Sequence, residues 1–589
     1  MVLLAFAPAA RPDVRQWRQG EPWWQEGIAV AGAGAARPTA GPARFVVGVD
    51  FGTLSGRAVV VDVADGTVRG EAVHPYRHGV LSERLPDGTP LPPDWALQHP
   101  DDHREVLRVA VPAALRAAGV GPQDVCGIGV DATSCTLLPT LADGTPLCEL
   151  PDLAGRPHAY PKLWKHHAAQ RQADRINDVA TARGERWLPR YGGRVSAEWQ
   201  LAKALQVLQE DPAVFDRAER FIEAADWLVW QLCGRETRNV PAAGYKGLRQ
   251  DGRYPSAEFL RALHPRLDGL LPRVDGPLVP TGARAGRLSA DAARWTGLPA
   301  GTAVAAGAID AHVTAAAARA VEPGRMLAVL GTSTCLIMNA AAYREVPGVC
   351  GVVEGGVTAG TWGYEAGQSG VGDIFAWYAR NALPAGYADE ARRRGLSPYE
   401  LLDTLAADQP VGGHGLLALD WHSGNRSVLM DHELSGVLVG LTLATRPEEI
   451  WRALLEATAF GARTVVDAFT AAGVAVDELT VAGGLTRNRL LLRIYADVLN
   501  RPLHVLDSAH PAALGAAIHA AVAAGAWPDV PAASAAMGAA RRETWHPDPA
   551  RAAAYDELYA HYRALHDHFG RGGTDVLHHL RSLRHRHHR

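Results

Sequence analysis

Three short segments concentrate the residue types that hold phosphate groups. The first is Asp50-Phe-Gly-Thr-Leu-Ser-Gly-Arg57. Gly52, Thr53, Ser55 and Gly56 offer backbone N–H groups and hydroxyls in a small space, without bulky side chains to block approach. Arg57 adds charge for a transferring phosphoryl group, and Asp50, at the end of an apolar run, can hold Mg²⁺ through water. Gly331-Thr332-Ser333 repeats the device. The third segment is Val481-Ala-Gly483-Gly484-Leu-Thr-Arg-Asn488. Its paired glycines let a flat ring lie against the backbone, a shelf for adenine or ribose. A separate carboxylate, Asp310, ends the apolar run from Ala303 to Ile309, where it can accept a proton at the mouth of a cleft. The same position also suits a helix N-cap. Tight hairpins use these loop residues for turn geometry alone, and paired glycines serve close helix–strand contacts, so the phosphate reading rests on the loop type occurring twice. No GxxxxGK[ST] is present, and no GxGxxG follows the first strand.

The flanking residues say what must position these loops. Phe45 to Asp50 and Ala58 to Asp62 read as strands on either side of the first loop. Ala64-Asp65-Gly66 turns the chain into a third strand, Thr67 to Val73. Met326 to Leu330 and Cys335 to Met338 flank the second loop in the same way. Thr445-Arg-Pro-Glu448 reads as a capping box ahead of a helical stripe of Ile450, Leu454, Ala457 and Phe460. Ala512-Ala-Leu-Gly515-Ala-Ala517 opens another helix, expected beneath the glycine shelf. Strands alternating with helices give an α/β class. Two hairpin-led halves imply a duplicated fold around a cleft, with the boundary near residues 300–320.

Composition narrows the function classes. The chain has 589 residues, 47% hydrophobic and 21% charged, with 59 Lys+Arg against 63 Asp+Glu. That is globular composition with room for more than one domain. Balanced charge gives no reason to expect nucleic acid, and no apolar run reaches the roughly 18 residues that cross a bilayer. Six cysteines without a CxxC pair argue against a disulfide framework or a zinc site and for a reduced cytoplasm. Residues 1–43, rich in Ala, Gly, Pro and Arg, read as a disordered extension, with Trp17, Trp23 and Trp24 as the alternative docking elements. Arg571 to Arg589, with five Arg and five His, reads as a solvated basic tail.

Asp50-x-Gly-Thr-x-Ser-x-Arg57, Gly331-Thr-Ser333, and Ala482-Gly-Gly-x-x-x-Asn488 with Ala513-Leu-Gly-Ala516 resemble the FGGY carbohydrate kinases. Further motifs point to the branch that phosphorylates L-ribulose in arabinose catabolism. They include Asp131-Ala-Thr-Ser-Cys135, Lys162-Leu-Trp-Lys165, Ala243-Gly-Tyr-Lys246, Ile309-Asp-Ala-His312 and Leu419-Asp-Trp-His-Ser-Gly-Asn-Arg-Ser427. The resemblance covers residues 44 to 570. It implies an α/β fold of two duplicated actin-like, ribonuclease-H-like ATPase domains. Residues 44–318 would bind sugar and phosphate, and residues 319–570 the nucleotide. It implies ATP and Mg²⁺ as cofactors; with the charge balance and apolar runs above, the expected partners are the sugar and ATP, no nucleic acid and no membrane, with a homodimer left open. By resemblance Asp310 is the general base, and Ser134, Trp164, Lys246, Asp310 and Glu365 bind the ketose. Thr53, Ser55, Arg57, Gly331, Thr332, Ser333, Gly483, Gly484 and Asn488 hold ATP, with Asp50 and Asp310 toward the metal. Taken singly, Trp164 reads as core and Lys246 as surface. Lys165-His166-His167 stands where Lys-Asp-His is expected, and Ala132 where Phe is common; both bear on which sugar is taken. The alternatives are another ketose or polyol (D-ribulose, ribitol, xylulose), or a non-catalytic nucleotide switch.

Overall fold

A computed structural model describes residues 44–587; the extension expected at 1–43 lies outside the described residues. Two seven-stranded sheets organise the chain. The first is built from β1 (Phe45–Phe51), β2 (Ser55–Asp62), β3 (Val68–Pro75), β4 (Val125–Ala132), β5 (Arg284–Arg287), β6 (Ala303–Ala305) and β7 (Ala308–Ile309). Its order is β3-β2-β1-β4-β6-β5, with β7 beside β4. Strands β1 to β3 are antiparallel, and β1, β4 and β6 run parallel.

The second sheet comprises β8 (Arg325–Leu330), β9 (Thr334–Ala340), β10 (Gly351–Glu354), β11 (Trp362–Gln368), β12 (Glu478–Ala482), β13 (Leu503–Leu506) and β14 (Arg541–Trp545). Its order, β10-β11-β9-β8-β12-β13-β14, contains the same plan. An antiparallel hairpin leads, and its first strand then pairs in parallel with the next strand along the sheet. The two hairpins are those read from the sequence. Their central strands are buried on both faces, as continuous apolar runs such as Val46 to Val49 require.

Two short-residue helices tie the halves together. α1 (Asp310–Ala317) begins with the candidate base, and α2 (Pro511–Ala524) is the alanine-rich helix. α2 follows the second sheet in sequence yet packs on the first, against β1 and β4, and crosses α1. It does not lie beneath the glycine shelf as expected. The reason is backbone proximity: a Cβ on Gly48 would stand 1.9 Å from the Ala513 carbonyl, and one on Gly515 would stand 2.1 Å from that of Val313. Gly48 lets α2 meet the sheet so closely, and Gly515 lets it cross α1 at the same range.

Two local expectations are corrected. The helix Pro447–Ala471 is capped one residue later than read, at Arg446, whose N–H donates to Glu449 Oε2 at 2.7 Å. Thr445 instead accepts the Thr442 N–H at 2.9 Å. The basic C-terminal segment is helical where a tail was expected, and most of its described residues are exposed. Val576–His587 forms a helix. It docks through buried Leu577, with His578 bonded to Asp431 at 2.8 Å and Arg581 paired with Glu433 at 3.4 Å. Two of its basic residues, His578 and Arg581, meet acidic partners that sequence spacing could not reveal. No described helix is long and apolar enough to cross a membrane, and no cysteine is disulfide-bonded.

Candidate active site

The site is assembled at the C-terminal ends of the first sheet's parallel strands. β1 and β4 pair in register so that Asp50 lies opposite Asp131, and β7 pairs Ala308 with Asp131. β7 leads directly into α1, whose first residue is Asp310. Three carboxylates therefore converge from adjacent strand ends. Asp50 Oδ2 accepts from Arg57 at 2.9 Å, and the same guanidinium donates to Ser55 Oγ at 3.0 Å. The turn closes with Gly52 N–H donating to the Ser55 carbonyl at 3.0 Å. Arg57 is thus held in place while remaining about one-quarter exposed (28%).

Asp131 is fully buried, and neither carboxylate oxygen has a hydrogen-bond partner. Burial, then the charges of Asp50 and Asp310, push its carboxyl well above the usual range. Asp310 is half-buried. Its Oδ1 accepts from Ala311 N–H at 2.7 Å; the N-cap is Ile309 and Asp310 is the first helical residue, so the N-cap reading of Asp310 is corrected. Its Oδ2 makes no bond to the described residues. Burial, followed by the charge of Asp50, pushes this carboxyl up to about 7.

Near Asp310 lies a buried polar cluster, the candidate floor of a sugar pocket. Lys246, expected at the surface from its type alone, is buried. It donates to both oxygens of Glu365, at 2.8 and 2.7 Å. His312 Nε2 bonds Glu365 Oε2 at 3.0 Å, and Arg426 donates to Oε1. The surrounding cations hold the Glu365 carboxyl well below the usual range against the opposing effect of burial. Lys246 uses two of its three N–H groups here, leaving one. Trp164 is half-buried and donates from Nε1 to Thr53 Oγ1 at 3.1 Å, joining the first loop to the pocket. Gln98 donates to the Thr53 carbonyl at 3.0 Å. Ser134 is half-buried in the turn after β4, beside Cys135 at φ +62°.

The second loop follows β8. Gly331 N–H donates to the Ser333 carbonyl at 2.9 Å. The Gly331 and Thr332 carbonyls accept the N–H groups of Gly372 and Val371 at 3.0 and 2.7 Å, docking the loop on the start of the helix Gly372–Asn381. The Thr332 and Ser333 side chains make no hydrogen bond to the described residues and stay half-exposed. Gly483 adjoins this loop: it sits at φ +96°, and a Cβ there would lie 2.4 Å from the Leu330 carbonyl.

Asn488 also has a structural role beside the glycine shelf. Its Oδ1 caps the helix Arg489–Leu499 by accepting Leu491 N–H at 2.9 Å. Its Nδ2 donates to Asp403 at 2.9 Å. These bonds fix the amide and leave one of its two N–H groups. The two departures from the expected motif are also located. His166 is fully buried, with Nε2 bonded to Gln206 at 2.9 Å, and Ala132 is a buried strand residue. Neither side chain lines the pocket floor.

The structure brings Asp50, Asp310, Lys246, Glu365, Trp164 and the first loop into one neighbourhood, with the second loop and the shelf beyond it. Sequence reasoning did not assign roles to Asp131, His312 or Arg426, although each stands inside a quoted motif. Arg426 lies 61 positions from Glu365, and no spacing rule connects them.

Among the described residues no group of three or more His, Cys, Asp or Glu is placed to hold a metal ion. Two carboxylates, Asp50 and Asp310, nevertheless fit Mg²⁺ that keeps its waters and takes further ligands from phosphates.

Comparison with known proteins agrees with this arrangement. Residues 45–317 match the N-terminal domain, and residues 326–524 the C-terminal domain, of the FGGY family of carbohydrate kinases. A ribulokinase from Mycolicibacterium smegmatis is 58% identical over 548 residues, 92% of this chain and 97% of that protein. A ribulokinase from Geobacillus thermodenitrificans is 50% identical over 91% of this chain and 97% of its own length. The crystal structure of a xylulose kinase from Rhodospirillum rubrum superposes with a TM-score of 0.72 at 27% identity, covering 89% of this chain and 98% of that one. The duplicated sheets are those of the two-domain, actin-like sugar-kinase fold, and the chain belongs to the FGGY family of carbohydrate kinases.

Proposed function

We propose that this enzyme transfers the γ-phosphoryl group of ATP to the terminal hydroxyl of L-ribulose, giving L-ribulose 5-phosphate, as a step of arabinose breakdown in the cytoplasm. The observation that carries the reading is that Asp310 starts a helix beside the strand end of Asp50, within electrostatic reach of Asp50 and of the Lys246–Glu365 pair. Relatives named ribulokinase, similar over nearly their whole length, support the sugar.

Phosphoryl transfer needs positioning and charge neutralisation more than covalent help. Asp310 Oδ2, which makes no bond to the described residues, accepts the hydroxyl proton as the oxygen attacks. The free N–H of Lys246 and the indole face of Trp164 orient the ketose, with Ser134 at the edge of its pocket. Thr53, Ser55 and Arg57 face the phosphates from residues 44–318. Gly331, Thr332 and Ser333 face them from residues 319–570, and Gly483 and Gly484 form the adenosine shelf. Magnesium arrives with the nucleotide as part of the substrate, and Asp50 and Asp310 are the carboxylates that would hold it, offsetting phosphate charge. A cleft that closes on both substrates excludes water and suppresses idle ATP hydrolysis.

The test is Asp310→Asn. Loss of the base lowers kcat by about 100-fold or more while calorimetric L-ribulose binding persists. Turnover within a few-fold of wild type would show that Asp310 is not the base.

A further inference from the structure

A second buried lysine lies behind the sugar pocket. Lys203 is fully buried and makes no ion pair among the described residues. Its ammonium donates instead to three backbone carbonyls: Cys135 at 2.5 Å, Leu163 at 2.9 Å and Lys162 at 3.3 Å. An ammonium has three N–H groups, so its donor capacity is filled.

The acceptors come from two segments distant in sequence. Cys135, at φ +62°, follows Ser134 in the turn after β4. Leu163 precedes Trp164, whose indole reaches Thr53 of the first loop at 3.1 Å. Lys203 stands on the first turn of the helix Gln200–Glu210. The start of that helix holds a third segment, because Gln200 N–H donates to the Lys246 carbonyl at 3.2 Å and the Trp199 ring lies 6.0 Å from the Lys246 ammonium. One helix start therefore joins the Cys135 and Leu163 carbonyls, next to Ser134 and Trp164, with the carbonyl of Lys246.

We infer that Lys203 is a positioning residue for the sugar pocket, fixing the Ser134 turn and the Trp164 segment relative to Lys246 without touching the sugar. This rests on the reading of Ser134, Trp164 and Lys246 as sugar contacts. Charge-assisted bonds to carbonyls are stronger than neutral ones. The two segments also share a backbone bridge between Leu137 and Lys162, at 3.1 and 2.9 Å, and loss of the Lys203 bonds removes the tie nearest Ser134 and Trp164. Lys162 supplies an internal contrast. It is equally buried, but its ammonium has no hydrogen-bond partner and lies over the Trp95 ring at 4.6 Å.

The experiment compares wild type, Lys203→Met, Lys203→Gln and Lys162→Met by steady-state kinetics with L-ribulose and ATP, and by calorimetric sugar binding. Lys203→Met is expected to raise the L-ribulose KM and Kd about tenfold, with the ATP KM and kcat within about threefold of wild type. Lys203→Gln, which keeps an amide donor, should fall between, and Lys162→Met should leave sugar affinity unchanged. The glutamine variant carries the test if the methionine variant does not fold. An unchanged sugar KM and Kd in folded Lys203 variants, or an equal rise in both substrates' KM, would overturn the inference. A wild type inactive on L-ribulose but active on another sugar would refute the proposed substrate alone, and the comparison is then read with that sugar. A wild type that turned over no sugar would overturn both.

Discussion

The Glu365 carboxylate is the point where the two halves share charge, and its removal has a consequence that can be worked out. Glu365→Gln keeps the shape and deletes the charge. In the native protein that carboxylate accepts from Lys246 at 2.8 and 2.7 Å, from His312 at 3.0 Å and from Arg426. Glu365 and Lys246 are 3% and 1% exposed, so solvent cannot replace the missing charge. Breaking a buried pair by deleting one partner costs about 3–5 kcal/mol, because the other ion is left uncompensated. Here two cations are left. At roughly 2 °C per kcal/mol for a cooperative unit of about 250 residues, the thermal midpoint should fall by about 6–10 °C. A second substitution discriminates the mechanism. Lys246→Met in the Glu365→Gln background removes one orphaned cation and should recover part of that loss, so the double variant lies between wild type and the single one. Scanning calorimetry at one scan rate gives the order directly. A midpoint within 1–2 °C of wild type for Glu365→Gln, or a double variant less stable than the single, would refute the account of this network.

Gly483→Ala places a Cβ 2.4 Å from the Leu330 carbonyl at a φ of +96°. Strain of about 1–3 kcal/mol against the shelf should raise the ATP KM roughly tenfold and leave calorimetric L-ribulose binding unchanged; an unaltered ATP KM removes the shelf from the nucleotide site. His519, 3% exposed on α2, is pushed down to about 4 by burial. With an unfolded value near 6.5, its contribution is fully present above that pH and is lost as pH falls toward 4, by up to about 3 kcal/mol. His519→Leu should therefore flatten the decline of the thermal midpoint between pH 6.5 and 4.5, and a decline as steep as in wild type would show that this histidine does not drive acid lability.

The parts of the site legible in the sequence were those with local signatures. Alternating apolar runs and Gly/Thr/Ser turns mark both hairpins, because strand and turn geometry are set by neighbours in sequence. Asp310 was visible as a carboxylate ending an apolar run. The identity of its surroundings was not. Asp131 meets Asp50 through sheet register, Arg426 reaches Glu365 through tertiary folding, and Lys203 gathers carbonyls that leave no trace in side-chain type. The helix Pro511–Ala524 illustrates the same limit. Its small residues show that it packs closely, and only the fold shows that the surface it meets is the first sheet. The acidic partners of the C-terminal helix were hidden for the same reason. Roles came from the resemblance of whole motifs, which carries long-range information that periodicity does not.

The central claim is met most directly by incubating the purified enzyme with MgATP and a panel of sugars, measuring ADP release and identifying the product by ³¹P NMR. The panel contains L-ribulose, D-ribulose, ribitol and xylulose. The account requires sugar-dependent ADP release with the highest kcat/KM on L-ribulose, and one phosphomonoester at its terminal carbon. ADP release that no sugar stimulates, or a clear preference for another sugar in the panel, would contradict it.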